Sequence, residues 1–525
     1  MFDKILFSIN YCLLNKKQTG SLLVFCFIYS SVQALDYRAI RPLRPETNKM
    51  VFAEFGYNVN DFGAVGDGKT INTVAIQKAV DQCSLDGGGM VYFTSGVYVS
   101  GTIYLKSNVV LHIPSGITLK ASSKIDDFPD QNSSLPTHNQ PNLTSKALIY
   151  AEGKQSIAIT GLGTIDGNGR YLDLSDDRKG RLKPSFKYRP RILHIRNCEN
   201  ILIEDIKLFN AASWVQTYQE CQNLIIRGIK VDSKENPVVN GKQDTVAYRH
   251  RNTDGLDLID CRFVSVSDAH ISSGDDAICI KSFSPDKICS NITISNCNLS
   301  SNTSGLKIGT ETAGTIQDIV IQNCTVYDTK GEGIAIISVD GATVRRVSIS
   351  NIILNNIKRS AIFIRLHQRN TRYGAYTYSN KPGLKDIMIN NIQGSRLSSL
   401  GCSVSGIKNF EVENVNFSNV HLEFEGLASS QVFSGQVPEL PNGYPKGDMF
   451  GILPSFGFYI RNVKGIRFNN VDVKSLKHDS RPAIVIESVK DFSFISSYVQ
   501  GDAVKDKVLS STTGIFQINA TLQKR

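Results

Sequence analysis

The chain has 525 residues, a formal net charge of +10, 41% hydrophobic residues and a single Trp. That length holds a large core, and neither composition nor charge marks the body as membranous or disordered. The basic balance suits an acidic polymer as partner, and equally a solvated surface.

At the N-terminus, Lys16 and Lys17 precede the apolar run from Ser21 to Tyr29, and Val32-Gln33-Ala34 offers a cleavage site after Ala34. A positive region, a moderate apolar run and a small-residue site predict a secretory signal peptide over residues 1–34. The competing readings are a membrane anchor, for which the run is short, and an ordinary buried helix. No later stretch is long and apolar enough to span a membrane, so the mature chain is expected to be exported, extracellular or periplasmic. Residues 1–34 contain Lys4, Lys16, Lys17 and Asp3, so the remaining 491 residues carry a formal charge of +8. Of eleven cysteines, Cys12 and Cys26 leave with that segment and nine remain. Cys198, Cys297 and Cys324 sit at matching Asn-Cys positions, which reads as recurrent buried thiols rather than a disulfide framework. A Cys279–Cys289 bridge is left open, and no zinc-type spacing is present.

Thr73 to Cys83 has helical periodicity, with Ala75, Ile76, Ala79 and Val80 on one face, and is expected to cap the first coils of a stack. The body of the chain is a degenerate repeat. It reads Asn197-Cys198-Glu199-Asn200-Ile201-Leu202-Ile203, and returns at Gln222-Asn223-Leu224-Ile225-Ile226 and at Ser290-Asn291-Ile292-Thr293-Ile294-Ser295-Asn296-Cys297. Further copies begin near Asp318, Arg346, Asp386 and Gly465. A period of about 25–30 residues belongs to a stacked solenoid. Each copy alternates apolar and polar residues, the pattern of a half-buried strand, with Asn, Gly and Ser at the corners. One coil cannot bury its apolar face alone, so coils must stack into a parallel β-helix. An antiparallel sandwich would need hairpin signals that the sequence lacks. Gln368 to Pro382 and Leu427 to Leu453 interrupt the repeat and are expected to wall a cleft.

Two acidic motifs fall in consecutive coils: Asn252-Thr253-Asp254-Gly255-Leu256-Asp257 and Ser273-Gly274-Asp275-Asp276-Ala277-Ile278-Cys279-Ile280-Lys281. One coil is a step of ~4.8 Å, so Asp254 and Asp275 are expected on adjacent rungs of one face. Such a cluster suits glycoside hydrolysis, in which one carboxyl stays protonated while another stays ionised. The bland reading is a ladder of turn-forming Asp or a calcium site. Asp257 is read as structural or peripheral, and Trp214 as a stacking platform or, more commonly, core.

These motifs resemble glycoside hydrolase family 28, the polygalacturonases and rhamnogalacturonan hydrolase-like pectinases. Tyr57-Asn58-Val59-Asn60-Asp61-Phe62-Gly63-Ala64-Val65-Gly66-Asp67-Gly68-Lys69 resembles the first-coil signature of pectin-active β-helices, lyases included. Asn210-Ala211-Ala212-Ser213-Trp214 resembles the segment ahead of the catalytic coils. The resemblance implies an all-β, single-stranded right-handed parallel β-helix of the pectin lyase-like kind over residues 53–525. It implies Asp275 as general acid, Asp254 and Asp276 as the pair that holds and activates water, and inversion of configuration. It also implies an acidic plant cell-wall polysaccharide as substrate. No cofactor or metal, no nucleic-acid partner and a monomeric state are expected.

Two departures stand out. Ser304 occupies the place of the family's His in Gly-His-Gly, and Gly333-Ile334-Ala335-Ile336-Ile337 replaces its Arg-Ile-Lys. Lys307 and Arg365 are the cations left to meet a galacturonate carboxylate. With Asn252, Lys281 and Glu311 they make up the expected substrate-binding set. The altered binding motifs suggest an exo-acting or rhamnogalacturonan-type member. A polysaccharide lyase on the same fold and a non-catalytic carbohydrate-binding β-helix are the rivals.

Overall fold

The Asn-rich corners of the repeat are backbone positions that few other residues tolerate. In the computed structural model of the chain, Asn291, Asn296, Asn323, Asn351, Asn391, Asn419 and Asn470 all take the left-handed region, with φ between 53° and 56°. Asn enters that region more readily than other non-glycine residues. Its side chain then bonds its counterpart in the coil before: Asn351 Nδ2 donates to Asn323 Oδ1 at 2.9 Å and Asn391 Nδ2 to Asn351 Oδ1 at 2.7 Å. The residues described are 56–136, 145–172, 189–234, 252–379, 381–427, 433 and 435–499, with the backbone of 500. For 238–239, 242–243 and 513–522 the backbone alone is described. All lie in the unit Met50–Arg525. The expected signal peptide lies outside them.

Between these corners, strands pair in parallel with the coil before and the coil after. One ladder runs Ala147–Glu152, Arg191–Arg196, Gln216–Gln219, Leu256–Ile259, Ile278–Ser282, Leu306–Thr312, Ile334–Ser338, Ile362–Leu366 and Cys402–Ser405. A second follows the repeat itself through Glu199–Glu204, Gln222–Arg227, Arg262–Ser267 and Ile288–Ser295. A third passes through Thr164–Asp166, Lys207–Phe209, Lys230–Ser233, His270–Ser273 and Asn298–Ser301. In later coils the second and third faces merge into strands such as Thr315–Thr329 and Thr343–Ile357. The result is a right-handed parallel β-helix, the hand that twisted strands impose on parallel crossovers.

Inward positions of each coil are apolar and closed to water, from Ile201 and Ile203 through Ile349 and Ile352 to Phe468. Thiols share that lining. All nine cysteines among the described residues are free and buried, Cys279 and Cys289 included, so the bridge left open is not formed. In the last coils aromatic rings replace aliphatic ones: Phe417 stacks on Phe468 at 5.0 Å.

The N-terminal helix runs Thr73–Leu85, two residues beyond its expected end, and buries Ile76, Ala79, Val80 and Cys83. It packs on the turn Val59–Phe62 and the strand Gly89–Tyr92, covering apolar residues that the first coil has no neighbour to bury. The two interruptions of the repeat lie on the first ladder. Val437, Phe450 and Leu453 pack on Ala335, Ile337, Val339, Phe363 and Tyr459. Tyr373 packs with Trp214, Ile259, Phe283 and Ala313. The long outer loops are therefore docked by apolar burial.

Candidate active site

The site forms at the corner between the third ladder and the first. Leu256 is in register with Ile278, Ile278 with Leu306, Leu306 with Ile334 and Ile334 with Ile362. The residues two places earlier therefore form a column: Asp254, Asp276, Ser304, Glu332 and Ser360. Asp254 and Asp276, not Asp254 and Asp275, occupy equivalent rungs, and Asp275 flanks the column. The next outward column contains Asp257, Cys279, Lys307 and Ala335.

Small residues make this register achievable. A Cβ on Gly255 would meet Ala277 O at 2.6 Å, so only glycine lets the Asp254 turn sit against the Asp276 turn. Gly255 N then donates to Asp276 O at 2.8 Å. Thr253 Oγ1 accepts from Gly274 N at 3.1 Å, and Ser273 Oγ donates to Asp275 O at 2.6 Å. The Asn-Thr-Asp and Ser-Gly-Asp-Asp motifs thus brace one another across one rung.

The carboxyls are crowded, with Asp254 and Asp276 buried and Asp275 half-buried. One oxygen from each of Asp254, Asp275 and Asp276 lies within 4.8 Å of the others. Two lysines answer them. Lys307 Nζ stands 2.7 Å from Asp276 Oδ2. Lys281 Nζ stands 2.8 Å from Asp257, 3.4 Å from Asp254 and 3.5 Å from Glu311. Asp254, Asp257 and Cys279 form a second close group, but a divalent ion in either group would face these two ammonium charges.

Each carboxyl is tuned differently. Burial would disfavour ionised Asp276, but the adjacent Lys307 ammonium overrides it and holds the carboxyl well below the usual range. Asp276 Oδ1 also accepts from Ser304 N at 3.0 Å and lies 2.7 Å from Thr303 Oγ1. Burial first, and then the neighbouring Asp276 charge, push Asp275 up. Asp254 is pushed well up by burial and by Asp257 and Asp275, against the pull of Lys281. Asp257 rises to about 6, again through burial. Carboxyls pushed apart in this way are the mark of acid and base roles.

The predicted binding residues divide. Lys281, Lys307 and Glu311 converge on the cluster, and Asn252 opens the Asp254 turn in the left-handed region (φ 56°). Arg365 does not join them. It is fully buried and donates to Ser405 Oγ, Gly406 O, Glu439 O and Leu440 O. Its guanidinium anchors the loop that packs on Ala335 and Ile337, which corrects the expectation that it meets a substrate carboxylate. Trp214 is 5% exposed, with Lys281 Nζ 4.0 Å above its ring, so it is core and no open platform.

Several residues escape the sequence motifs. Thr303 bridges Asp275 and Asp276, with its Oγ1 2.7 Å from each. Glu332 accepts from Ser304 Oγ at 2.8 Å and from Gly447 N at 2.6 Å, and Arg359 lies 3.4 Å away. Tyr444, on the same loop as Gly447, accepts from Thr310 Oγ1 at 3.1 Å. The one-coil spacing from Ser304 could have pointed to Glu332; nothing in the sequence brings the loop back.

A parallel β-helix with differently tuned carboxyls at one groove is the framework of a carbohydrate-cleaving hydrolase. The model for glycosyl hydrolases family 28 matches residues 91–438. A probable polygalacturonase of Vitis vinifera is 30% identical over 48% of this chain, which spans about half (47%) of that relative's length. An endo-polygalacturonase of Pectobacterium carotovorum is 27% identical over 61% of this chain and 77% of its own. The solved exopolygalacturonase of Thermotoga maritima has the same fold, with a TM-score of 0.56 and 21% identity over 71% of this chain and 88% of its own. The chain belongs to glycosyl hydrolases family 28.

Proposed function

We propose that this chain is a pectin-degrading glycoside hydrolase that cleaves galacturonate-containing chains from an end, with inversion. The observation that carries the chemistry is the in-register pair Asp254 and Asp276 beside Asp275, with Asp276 alone held ionised. Asp275 is less buried than its neighbours and is pushed up, so it donates its proton to the leaving glycosidic oxygen. A water positioned by Asp254 attacks the anomeric carbon, and Asp276 takes the water's proton. Asp275 ends ionised and Asp276 protonated, and exchange with solvent resets both.

Inversion is favoured over attack by a carboxylate. Thr303, Ser304, Lys307 and Cys279 fix Asp276 in place, so it meets a small mobile water more readily than a sugar carbon. Asp254, pushed well up, is a poor nucleophile. The nearest carboxyl oxygens lie closer together than the about 6.5–9.5 Å usual between carboxyls of an inverting pair, so the anomeric form of the first product decides between inversion and retention.

End-on attack is supported by the docked loop. Ala335 is in register with Lys307 and lies under Val437 and Phe450, while Gly447 bonds Glu332. Beyond the Lys307 coil this groove is covered. Among the described residues no helix is long and apolar enough to cross a membrane. The residue 1–34 segment supports export, and a monomer accounts for a site built wholly from one chain.

Asp275→Asn tests the chemistry. Turnover of pectic polymer should fall about 10²–10⁴-fold with an unchanged thermal midpoint. Retained activity would overturn the assignment. Proton NMR of the first products separates inversion from retention, and products absorbing in the ultraviolet would instead mark a lyase.

A further inference from the structure

The turn Gly167–Leu172 is built rigidly and presents one large side chain outward. Cβ atoms on Gly167 and Gly169 would meet Ala211 Cα at 2.9 Å and Ala211 O at 2.4 Å, so the turn is pressed onto the next coil. Asn168, in the left-handed region (φ 48°), donates through Nδ2 to Ala121 O at 2.9 Å. Arg170 N donates to Asn210 Oδ1 at 3.2 Å, and Leu172 is buried. Between these anchors Tyr171 is 52% exposed. Its ring gathers two cations, with Arg170 Cζ at 5.2 Å and Lys120 Nζ at 5.8 Å from the centroid. The nearby Asp166 carboxyl accepts through Oδ1 from Asn168 N at 2.8 Å and Asn210 Nδ2 at 3.0 Å, and Lys120 and Lys207 are the cations that face it.

This turn lies on the same corner as the catalytic cluster. Asp166 is in register with Phe209, Phe209 with Asp232 and Asp232 with Ser272. Those strands lead into the turns of Tyr171, Trp214, Asp254 and Asp275. The Tyr171 turn is therefore three coils before Asp275, ~14 Å along the stack and within reach of a short oligosaccharide. It lies on the side of the cluster away from the Leu427–Leu453 loop, beyond the coil where Tyr373 packs on Trp214.

We infer that Tyr171, Lys120 and Arg170 form a distal subsite for an acidic sugar of the chain whose end is cut at Asp275. The site rests on the pectic-substrate reading above. The ring holds two positive side chains in place before substrate arrives, so less side-chain freedom is lost when a carboxylate docks. The site takes a uronate and gives a neutral or esterified sugar little.

The test is kcat/KM on a ladder of oligogalacturonates from two to eight units, beside a fully methyl-esterified chain. For Lys120→Met/Arg170→Met, the ratio of long-chain to short-chain kcat/KM should fall about tenfold at low salt, from two half-buried charge contacts. The gap should narrow as salt is raised. Tyr171→Ala should lower the same ratio, and Tyr171→Phe, which keeps the ring, should restore it. An unchanged ratio, an equal loss at every length, or the same loss on the esterified chain would overturn the subsite. Absence of turnover of every pectic substrate by the unsubstituted protein would overturn the pectic reading and the subsite together.

Discussion

Lys307 is the residue on which the acid/base division depends. It is 9% exposed, its ammonium faces Asp276 at 2.7 Å, and it keeps that carboxyl ionised against burial. In the proposed mechanism the ionised form of Asp276 is the base, so activity should be lost as pH falls through its depressed pKa. Lys307→Met removes the ammonium, raises that pKa and moves the acid limb of the kcat/KM profile to higher pH. Uncovering a buried carboxylate also costs about 3–5 kcal/mol of stability, read as a lower urea midpoint. Lys307→Arg, which keeps the charge, should recover most of the acid limb. An acid limb unmoved in Lys307→Met would remove Asp276 from the base role. The Asp motifs were legible in sequence because their spacing is close to one coil. The pairing of Asp254 with Asp276 rather than Asp275 was not, because one residue of register decides it. Arg365 and Lys307 look alike in sequence, as cations near strand ends. Only the return of a distant loop buries one among carbonyls.

Among elements, the corners and the docked loop carry separate consequences. Asn351 is left-handed (φ 56°), donates to Asn323 and accepts from Asn391. Asn351→Ala places an alanine in a region that costs about 1–2 kcal/mol and breaks the ladder on both sides. A stability loss of about 2 kcal/mol in urea is expected, and Asn351→Gly should regain part of it because glycine tolerates that backbone. Repeat, corner residues and capping helix were readable from the sequence because they are local patterns. The seat of the loop was not. Ala335 and Ile337 looked like lost sugar-reading positions, whereas Val437 and Phe450 cover them. The loop's exact approach is fixed at Gly447, where a Cβ would meet Ser360 Cβ at 2.7 Å and Glu332 Oε1 at 3.0 Å. Gly447→Ala should therefore lift the loop from Glu332 and reopen the groove. Chromatography of early products from polygalacturonate should show short oligomers joining the end-released sugar. A product profile unchanged while hydrogen exchange across 440–450 rises would sink the end-wall reading.

For the whole molecule, stacking sets the chemistry of the core thiols. Register places Cys198, Cys221, Cys261 and Cys289 on four successive coils, and Cys297 beside Cys324 on another face. Under the proposed export to an oxidising compartment, such neighbours invite the expectation of disulfides. The geometry of a parallel stack opposes them. Equivalent Cβ atoms lie one rung apart, ~4.8 Å, and point the same way. A disulfide wants Cβ atoms about 3.8 Å apart, with the two bonds turned about 90° to each other. Bridging would require moving two packed coils whose apolar lining is closed to water. Burial also pushes the Cys221 and Cys289 thiols well up, so little thiolate is present there, and Cys324, whose thiol is lowered by its bond with Cys297, is itself closed to water. The chain lacking residues 1–34 should therefore show no thiol reactive toward a water-soluble disulfide reagent while folded, and all nine after unfolding in guanidinium. Prior incubation of the folded protein with oxidised glutathione should leave that count unchanged. A count that drops by two or more would mean that the stack opens far enough in the native state to let neighbouring coils join.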